Sequence, residues 1–355
     1  MPVNTTPLRV MLLCDWFLKY TASFALGLAH AGNDVCLVCR GHAHEFGHTQ
    51  HERTRTLEHA RAGGVEIIEF PERMSSRQRA AVRAAREARR WRPQIAHVQS
   101  ATFEPRLFFA LGRRQPLVMT IHDPVPHEGH RLRRRNLLIE RAWRRRADCL
   151  VVHSEQLVPA LGSVPQRIAV LPHGADILAT PLPRPRTPSV LLFGRLEPYK
   201  GVRVLSDAMQ DVWEKRPDVR LLVCGEGPAK NDLPDDPRVE ARLAYIPESD
   251  VDPLFARATL VVLPYTDASQ SGVGTMAVGR GIPTIVSRLG GLPDLALDDS
   301  FVVPPNDAPA LAQAIIRHVG HDDETRRRVL QLADERLGWD AVGLAAADLY
   351  RDLLR

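Results

Sequence analysis

Two cations, Arg195 and Lys200, stand five residues apart in Phe193-Gly194-Arg195-Leu196-Glu197-Pro198-Tyr199-Lys200-Gly201, between an apolar run and a helical pattern that starts at Val202. Only four of the 47 basic residues are lysines (Lys19, Lys200, Lys215 and Lys230), so a lysine inside a motif carries information. Cations beside a glycine-containing turn and a helix amino terminus suit a diphosphate, because backbone N–H groups and the helix dipole add to the side-chain charge. The plain alternative is a surface loop with two solvated cations. A second turn reads Leu263-Pro264-Tyr265-Thr266-Asp267-Ala268-Ser269-Gln270-Ser271-Gly272-Val273-Gly274. Ser271 can cap the helix that follows, while Gly272 and Gly274 let a ligand approach the backbone amides. Simple helix capping would need the same serine.

Three other patterns compete. His44-Glu45-Phe46-Gly47-His48 matches the zinc-protease H-E-x-x-H, with Glu66 and Glu69 as conceivable third ligands. Gly47 and the scarcity of apolar residues argue instead for a polar loop. Cys36-Leu37-Val38-Cys39 has the spacing of a metal pair, but in a strand residues three apart point to opposite faces, so both are expected in the core. The stretch Arg131 to Arg146, RLRRRNLLIERAWRRR, holds eight arginines against Glu140 alone. A basic amphipathic helix of this kind can lie on an anionic membrane surface, and equally can be a solvated face. No aromatic or recognition motif accompanies the charge, so nucleic acid is not expected.

Positioning these residues requires a frame. Apolar runs at Arg9 to Cys14, Asp34 to Cys39, Val65 to Phe70, Ile95 to Gln99, Leu117 to Ile121, Asp148 to His153 and Ile168 to Leu171 read as strands. Helical patterns near Ala22 to Ala31, Ser76 to Trp91, Pro105 to Arg113, Arg131 to Arg146 and Glu155 to Leu161 separate them, which predicts a doubly wound parallel sheet. Four prolines at 181, 183, 185 and 188 mark an extended linker. The alternation then restarts with strands at Val190 to Gly194, Val219 to Cys224, Leu260 to Leu263 and Thr284 to Ser287. Helices between and after them are expected at Val202 to Lys215, Asp250 to Arg257, Gly272 to Gly279 and Pro309 to Val319. A last helical pattern, Asp323 to Leu353, breaks near Gly338.

The boundaries predicted are a first Rossmann-like domain over 1–182, a second over 183–335 and a final helix, 336–355, that returns to the first. Two such sheets in series bind ligands at the carboxyl ends of their strands.

Composition fits this frame. The chain has 355 residues, 44% hydrophobic and 25% charged, which excludes disordered and collagen-like classes. No stretch has the roughly 18 apolar residues of a membrane span, and Leu8 to Leu13 lacks the flanks of a signal peptide, so a cytoplasmic protein is expected. Cys14, Cys36, Cys39, Cys149 and Cys224 are expected as reduced core thiols. Residues 1–182 carry 26 Lys+Arg against 16 Asp+Glu and the remainder 21 against 26, so the halves are electrostatically unlike.

Taken together the turns resemble those of the retaining glycosyltransferases of the GT4 class with the GT-B fold, over nearly the whole chain. The pieces that match are Val190 to Gly201 (G-R-x-x-x-x-K-G), Cys224-Gly225-Glu226-Gly227-Pro228 (G-x-G-P), Leu260 to Tyr265, and Gly281-Ile282-Pro283 with Gly290-Gly291-Leu292-Pro293-Asp294. Leu171-Pro172-His173-Gly174-Ala175-Asp176 resembles the family's hinge segment, with His for Asn. The resemblance implies a nucleotide-sugar donor, UDP- or GDP-linked, on the second domain and an acceptor on the first, with no metal and no other cofactor. It implies that Arg195 and Lys200 neutralise the departing diphosphate, that Ser271, Gly272 and Val273 hold its distal oxygens, and that His122 in Thr120-Ile121-His122-Asp123 lies near the transferred sugar.

The chain also departs from the pattern. Two glutamates usual in the donor turn are replaced by Ala268 and Met276; Asp267 and Gln270 are the neighbours that could take over the first, toward the sugar. The glycine pair usual in the first loop is absent from Asp15-Trp16-Phe17-Leu18-Lys19-Tyr20-Thr21. The expected activity is transfer of a hexose to a hydroxyl of a glycan, glycolipid or secondary metabolite, as in polysaccharide biosynthesis, at the inner face of a membrane or free in the cytoplasm. The alternatives are a nucleotide-sugar epimerase or phosphorylase on the same scaffold, or a non-catalytic descendant.

Overall fold

The computed structural model describes residues 6–40, 49–70, 78–99, 115–124 and 134–355. They divide into two compact units: one comprises the described residues up to Gly174 together with Trp339–Arg355, the other Ala175–Gly338. The H-E-x-x-H segment, the helix expected over Pro105 to Arg113 and Arg131 to Arg133 lie outside the described residues.

In the first unit β1 (Arg9–Cys14), β2 (Asp34–Arg40), β3 (Glu66–Phe70), β4 (Ile95–Val98), β5 (Leu117–Thr120), β6 (Cys149–Val152) and β7 (Arg167–Val170) form a parallel sheet in the order β3-β2-β1-β4-β5-β6-β7. Its inner strands bury both faces, as parallel strands under crossover helices must. Val10, Leu12 and Cys14 enter one core, and Met11 and Leu13 the other. The same alternation sends Cys39 to the first core and Cys36 to the second, so this pair cannot share a metal.

Helices α1 (Leu18–His30) and α2 (Gln50–Ala62) cover the first core. Helices α3 (Gln78–Trp91) and α4 (Arg134–Arg146) cover the second, through Ala84, Ala88 and Trp91 and through Trp143. The described part of the basic stretch, Arg134–Arg146, is therefore a helix with one buried aromatic anchor, and its Arg141 and Arg145 are exposed.

The sequence reading started α1 at Ala22; the helix starts four residues earlier, at Leu18. Phe17 makes this possible by adopting a left-handed conformation (φ 70°), after which its carbonyl accepts from the N–H and hydroxyl of Thr21. Helix α2 was not expected, because only Leu57 and Ala60 of its thirteen residues are buried. Its signature is the capping box, in which Thr49 accepts from Glu52 N–H and Glu52 accepts from Thr49 N–H.

The second unit repeats the scheme. Strands β8 (Ser189–Phe193), β9 (Arg220–Cys224), β10 (Val239–Arg242), β11 (Leu260–Leu263), β12 (Thr284–Ser287) and β13 (Val302–Val303) pair in the order β10-β9-β8-β11-β12-β13. The edge strands β10 and β13 escaped the sequence reading, the first because its residues are mostly exposed and the second because it is two residues long. Around the sheet lie α5 (Val202–Lys215), α6 (Glu248–Phe255), α7 (Gly272–Val278), α8 (Ala308–His318) and α9 (Asp323–Leu337). Residues 180–188 form neither helix nor strand, and Leu182 is held at both ends of its peptide: its N–H bonds Arg280 O, and its carbonyl accepts from the buried Arg326 guanidinium at 2.7 Å.

The chain breaks at Gly338, and α10 (Trp339–Leu354) packs on α1 within the first unit. Gly27 and Gly343 sit at that crossing, where a side chain on either would strike the opposing backbone.

In each sheet the strand order reverses once, between β1 and β4 and between β8 and β11. Such a reversal opens a crevice at the carboxyl ends of the flanking strands, where ligands bind in open α/β sheets.

Candidate functional site

In the second unit the crevice lies between the turns after β8 and β11, which are the two turns singled out by sequence. Backbone bonds stitch them together and to the turn after β9. Gly194 N–H donates to Cys224 O at 2.9 Å, Leu196 N–H to Glu226 O at 2.8 Å, and Thr266 N–H to Tyr199 O at 2.8 Å. Contact this close is allowed only by missing side chains. A Cβ on Gly201, whose φ is +69°, would stand 1.8 Å from Pro264 O, and one on Gly225, with φ +140°, would stand 1.9 Å from Gly194 O.

The side chains form a relay. Lys200 Nζ donates to Tyr265 Oη at 2.7 Å and lies 3.9 Å from the centroid of the Tyr265 ring and 5.1 Å from that of Tyr199. Tyr265 is buried, and burial pushes its phenol well above the ordinary range, so it stays protonated. Since Lys200 can only donate, the phenol accepts from it, and the same oxygen shares a hydrogen bond with Ser271 Oγ, 3.1 Å away. Ser271 accepts from Gly274 N–H at 3.2 Å and so caps α7.

Sequence reasoning missed Tyr265 as the link between Lys200 and Ser271. The available signal was a tyrosine at the end of a wholly buried strand, where a polar tip needs a partner.

Arg195 is exposed at the start of the β8 turn. Val273 approaches Gly194, with its Cγ2 3.2 Å from where a Cβ of that glycine would be, and Gly272 is exposed. Gln270 is half-buried, and its Oε1 has no hydrogen-bond partner among the described residues, a costly state for a buried acceptor unless a ligand supplies a donor. Asp267 lies on the same turn, half-buried. Ala268 and Met276, in the positions of the missing carboxylates, pack against the apolar core.

His122 belongs to the first unit, one strand beyond the corresponding reversal. It follows β5, is buried, and lies beside Phe17, with ring centroids 4.6 Å apart. Its Nε2 is 2.6 Å from Gln99 O and its Nδ1 is 3.0 Å from His153 Nε2. Tyr20 packs edge-on against His122 and His153 and also touches His173. Asp15, after β1, is buried and ion-paired with Arg40. The structure thus gathers Arg195, Lys200, Ser271, Gly272, Val273, Asp267 and Gln270 in one unit and places His122 in the other. Among the described residues no group of three or more His, Cys, Asp or Glu is arranged to hold a metal ion.

Comparison with known proteins bears on the fold and the family. Residues 19–177 match the family model described as Glycosyltransferase Family 4, and residues 187–321 match Glycosyl transferases group 1. A D-inositol 3-phosphate glycosyltransferase of Corynebacterium glutamicum is 29% identical over 246 residues, 59% of this chain and 58% of that one. A GDP-mannose:glycolipid 4-beta-D-mannosyltransferase of Xanthomonas campestris is 31% identical over 185 residues, 48% of this chain and 49% of that one. The matches thus span between about half and three fifths of these relatives' lengths. The solved structure of Anabaena HepE in complex with UDP and glucose superposes with a TM-score of 0.68 at 16% identity, covering 97% of this chain and 99% of that one, which is a likeness of fold.

Proposed function

Since the chain belongs, by both halves of its sequence and by its fold, to the GT-B glycosyltransferases of family 4 type, we propose that it is a retaining, metal-independent hexosyltransferase. It takes a UDP- or GDP-linked sugar and delivers the sugar to a hydroxyl of a glycan, glycolipid or small molecule. The observation that carries this reading is the Lys200–Tyr265–Ser271 relay, which holds a cation and a serine hydroxyl together at stitched turns. Pre-set donors aimed at developing charge are the form that electrostatic catalysis takes.

On this reading Arg195 and Lys200 neutralise the diphosphate as it departs, and Ser271 with the amides of Gly272 and Val273 binds its distal oxygens. Asp267 and the unpartnered Gln270 Oε1 take sugar hydroxyls, and His122 lies against the transferred sugar. The acceptor oxygen bonds to the anomeric carbon on the face from which the phosphate leaves. The carbon–phosphate oxygen bond breaks, and the acceptor proton passes to the leaving phosphate, so no side chain serves as general base. The GDP-mannose named for the Xanthomonas relative supports the substrate class. The beta linkage in the Xanthomonas name makes the anomeric outcome the part to measure.

The protein works in the cytoplasm, at a membrane when its acceptor is lipid-linked. Helices α3 and α4 cover the same face of the first sheet, and Arg83, Arg86, Arg89, Arg90, Arg141 and Arg145 are exposed there, which suits an anionic lipid surface.

The test is incubation with UDP- and GDP-sugars and mixed acceptors, following nucleoside diphosphate release and the configuration of the new glycosidic bond. Transfer with inversion would refute retention. Donor turnover that needs no hydroxyl acceptor would favour the epimerase or phosphorylase reading.

Tyr265→Phe separates positioning from mere presence of Lys200. Removing one hydroxyl from the relay should cost about 1 kcal/mol of stability in denaturant. It should raise the donor KM by about three- to tenfold, because Lys200 and Ser271 lose their shared anchor. Unchanged donor kinetics would show that the relay is structural only.

A further inference from the structure

Two buried histidine arrangements in the first unit differ in one respect. His97 lies between hydroxyls: Nδ1 is 2.6 Å from Tyr350 Oη and Nε2 is 2.8 Å from Thr120 Oγ1. A hydroxyl can give or take a hydrogen bond, so neutral His97 satisfies both partners in either tautomer. Burial holds it at about 3.

The His122–His153 pair lies instead between two carbonyls. His122 Nε2 faces Gln99 O at 2.6 Å, and His153 Nδ1 faces Leu171 O at 2.9 Å. Carbonyl oxygens only accept, so each of these nitrogens must carry hydrogen. Between the rings, His153 Nε2 and His122 Nδ1 meet at 3.0 Å, and that contact needs a hydrogen as well. Three N–H groups are required, and two neutral imidazoles supply two. Without the third, either two lone pairs oppose each other at hydrogen-bond distance or a buried carbonyl faces a lone pair.

We infer that His122 and His153 hold one proton between them as a buried monocation in the working protein, with His153 the positioning residue for His122. The surroundings are consistent with this assignment. Asp123 favours the charged form of His153. Tyr20, packed on both rings, is kept a neutral phenol by burial, and His173 and His97 are held neutral by burial at about 3. The neighbouring histidines therefore add no second charge.

Burial acts in the opposite direction on the pair itself, driving His122 down and His153 to about 4. The two causes give opposite signs. If the hydrogen-bond requirement dominates, the folded pair binds its proton more tightly than a free imidazole (about 6.5). The stability it contributes is then complete below that pH and is lost as pH rises through the pair's own value. If burial dominates, both rings are neutral at neutral pH and stability is lost as pH falls toward about 4.

The test is nitrogen-15 histidine labelling of the full chain, with long-range nitrogen–proton correlation spectra from about pH 5 to about pH 9, signals being assigned with His122→Gln and His153→Gln. The expected result is three protonated nitrogens out of four near neutral pH and a single shared deprotonation step on the alkaline side. Two unprotonated nitrogens throughout that range would overturn the inference. The wild-type spectrum decides even where a variant fails to fold. A consequence for turnover rests on the proposed glycosyl transfer, in which His122 meets an anionic donor. There kcat/KM should fall about tenfold per pH unit above the pair's step, and His153→Gln, whose amide can still donate to His122, should abolish that limb. The spectra require no substrate, so failure of the transferase reading and failure of the proton count are separately visible.

Discussion

Replacing Arg195 and Lys200 together by alanine is expected to lower donor turnover by about 10²–10³-fold while the protein remains folded. The argument is one of where the charges stand. Arg195 is exposed at the end of β8, and Lys200 is half-buried over two tyrosine rings one short turn later, so both cations belong to one loop. Neither is required by the core beneath: the apolar anchors of the turn are Leu196 and Val202, both buried. The double substitution therefore removes the positive charge that the proposed reaction sets against a departing diphosphate and leaves the packing in place. Loss of the Lys200 bond to Tyr265 should cost about 1 kcal/mol of stability, a small effect beside the kinetic one. Steady-state kinetics and a melting curve on the same preparation check both statements. A double variant keeping more than about a tenth of wild-type kcat/KM would remove these residues from the reaction.

Gly201→Ala should have a large effect for a single methyl group. The residue is left-handed, at φ +69°, and an added Cβ would lie 1.8 Å from Pro264 O, inside the backbone of the neighbouring turn. Neither partner can yield cheaply, because Gly201 O receives the N–H of Leu205 in the first turn of α5 and Tyr199 O receives that of Thr266. The turns after β8 and β11 must separate, which should cost about 2–4 kcal/mol and lower Tm by about 5–10 °C. Donor turnover should fall with it, since Lys200 and Ser271 are carried by those same two turns. Gly272→Ala is the internal control. Gly272 meets nothing within 4 Å and has no positive φ, so melting should stay within about 1 °C of wild type. Equal effects in the two variants would show that loop apposition is not what these glycines serve.

The strands and most helices of both units were legible in the sequence because a buried parallel strand is written as an uninterrupted apolar run and its crossover helix as a periodic one. Helix α2 was not, since its apolar face is two residues wide. Phe17 was not either: a left-handed aromatic residue has no sequence signature, and its place is set by the ring of His122, more than a hundred residues away. The same holds within the candidate site. Arg195, Lys200 and Ser271 stand out because glycines, a rare lysine and a capping serine are local signals. Tyr265 and His153 do not, because their roles arise from register. Parallel pairing of Thr120 with Val151 sets His122 beside His153 at the ends of adjacent strands, and nothing in either local sequence announces that meeting.

The most direct test of the central claim, a nucleotide-sugar seat on the second unit, is the melting temperature of the purified protein with UDP, GDP, dTDP and ADP in turn. Wild type should rise in Tm with one nucleoside diphosphate over the others, because a ligand that binds only the folded state stabilises it. The rise should vanish in Arg195→Ala/Lys200→Ala. A folded wild-type protein whose Tm is indifferent to all four would contradict the account.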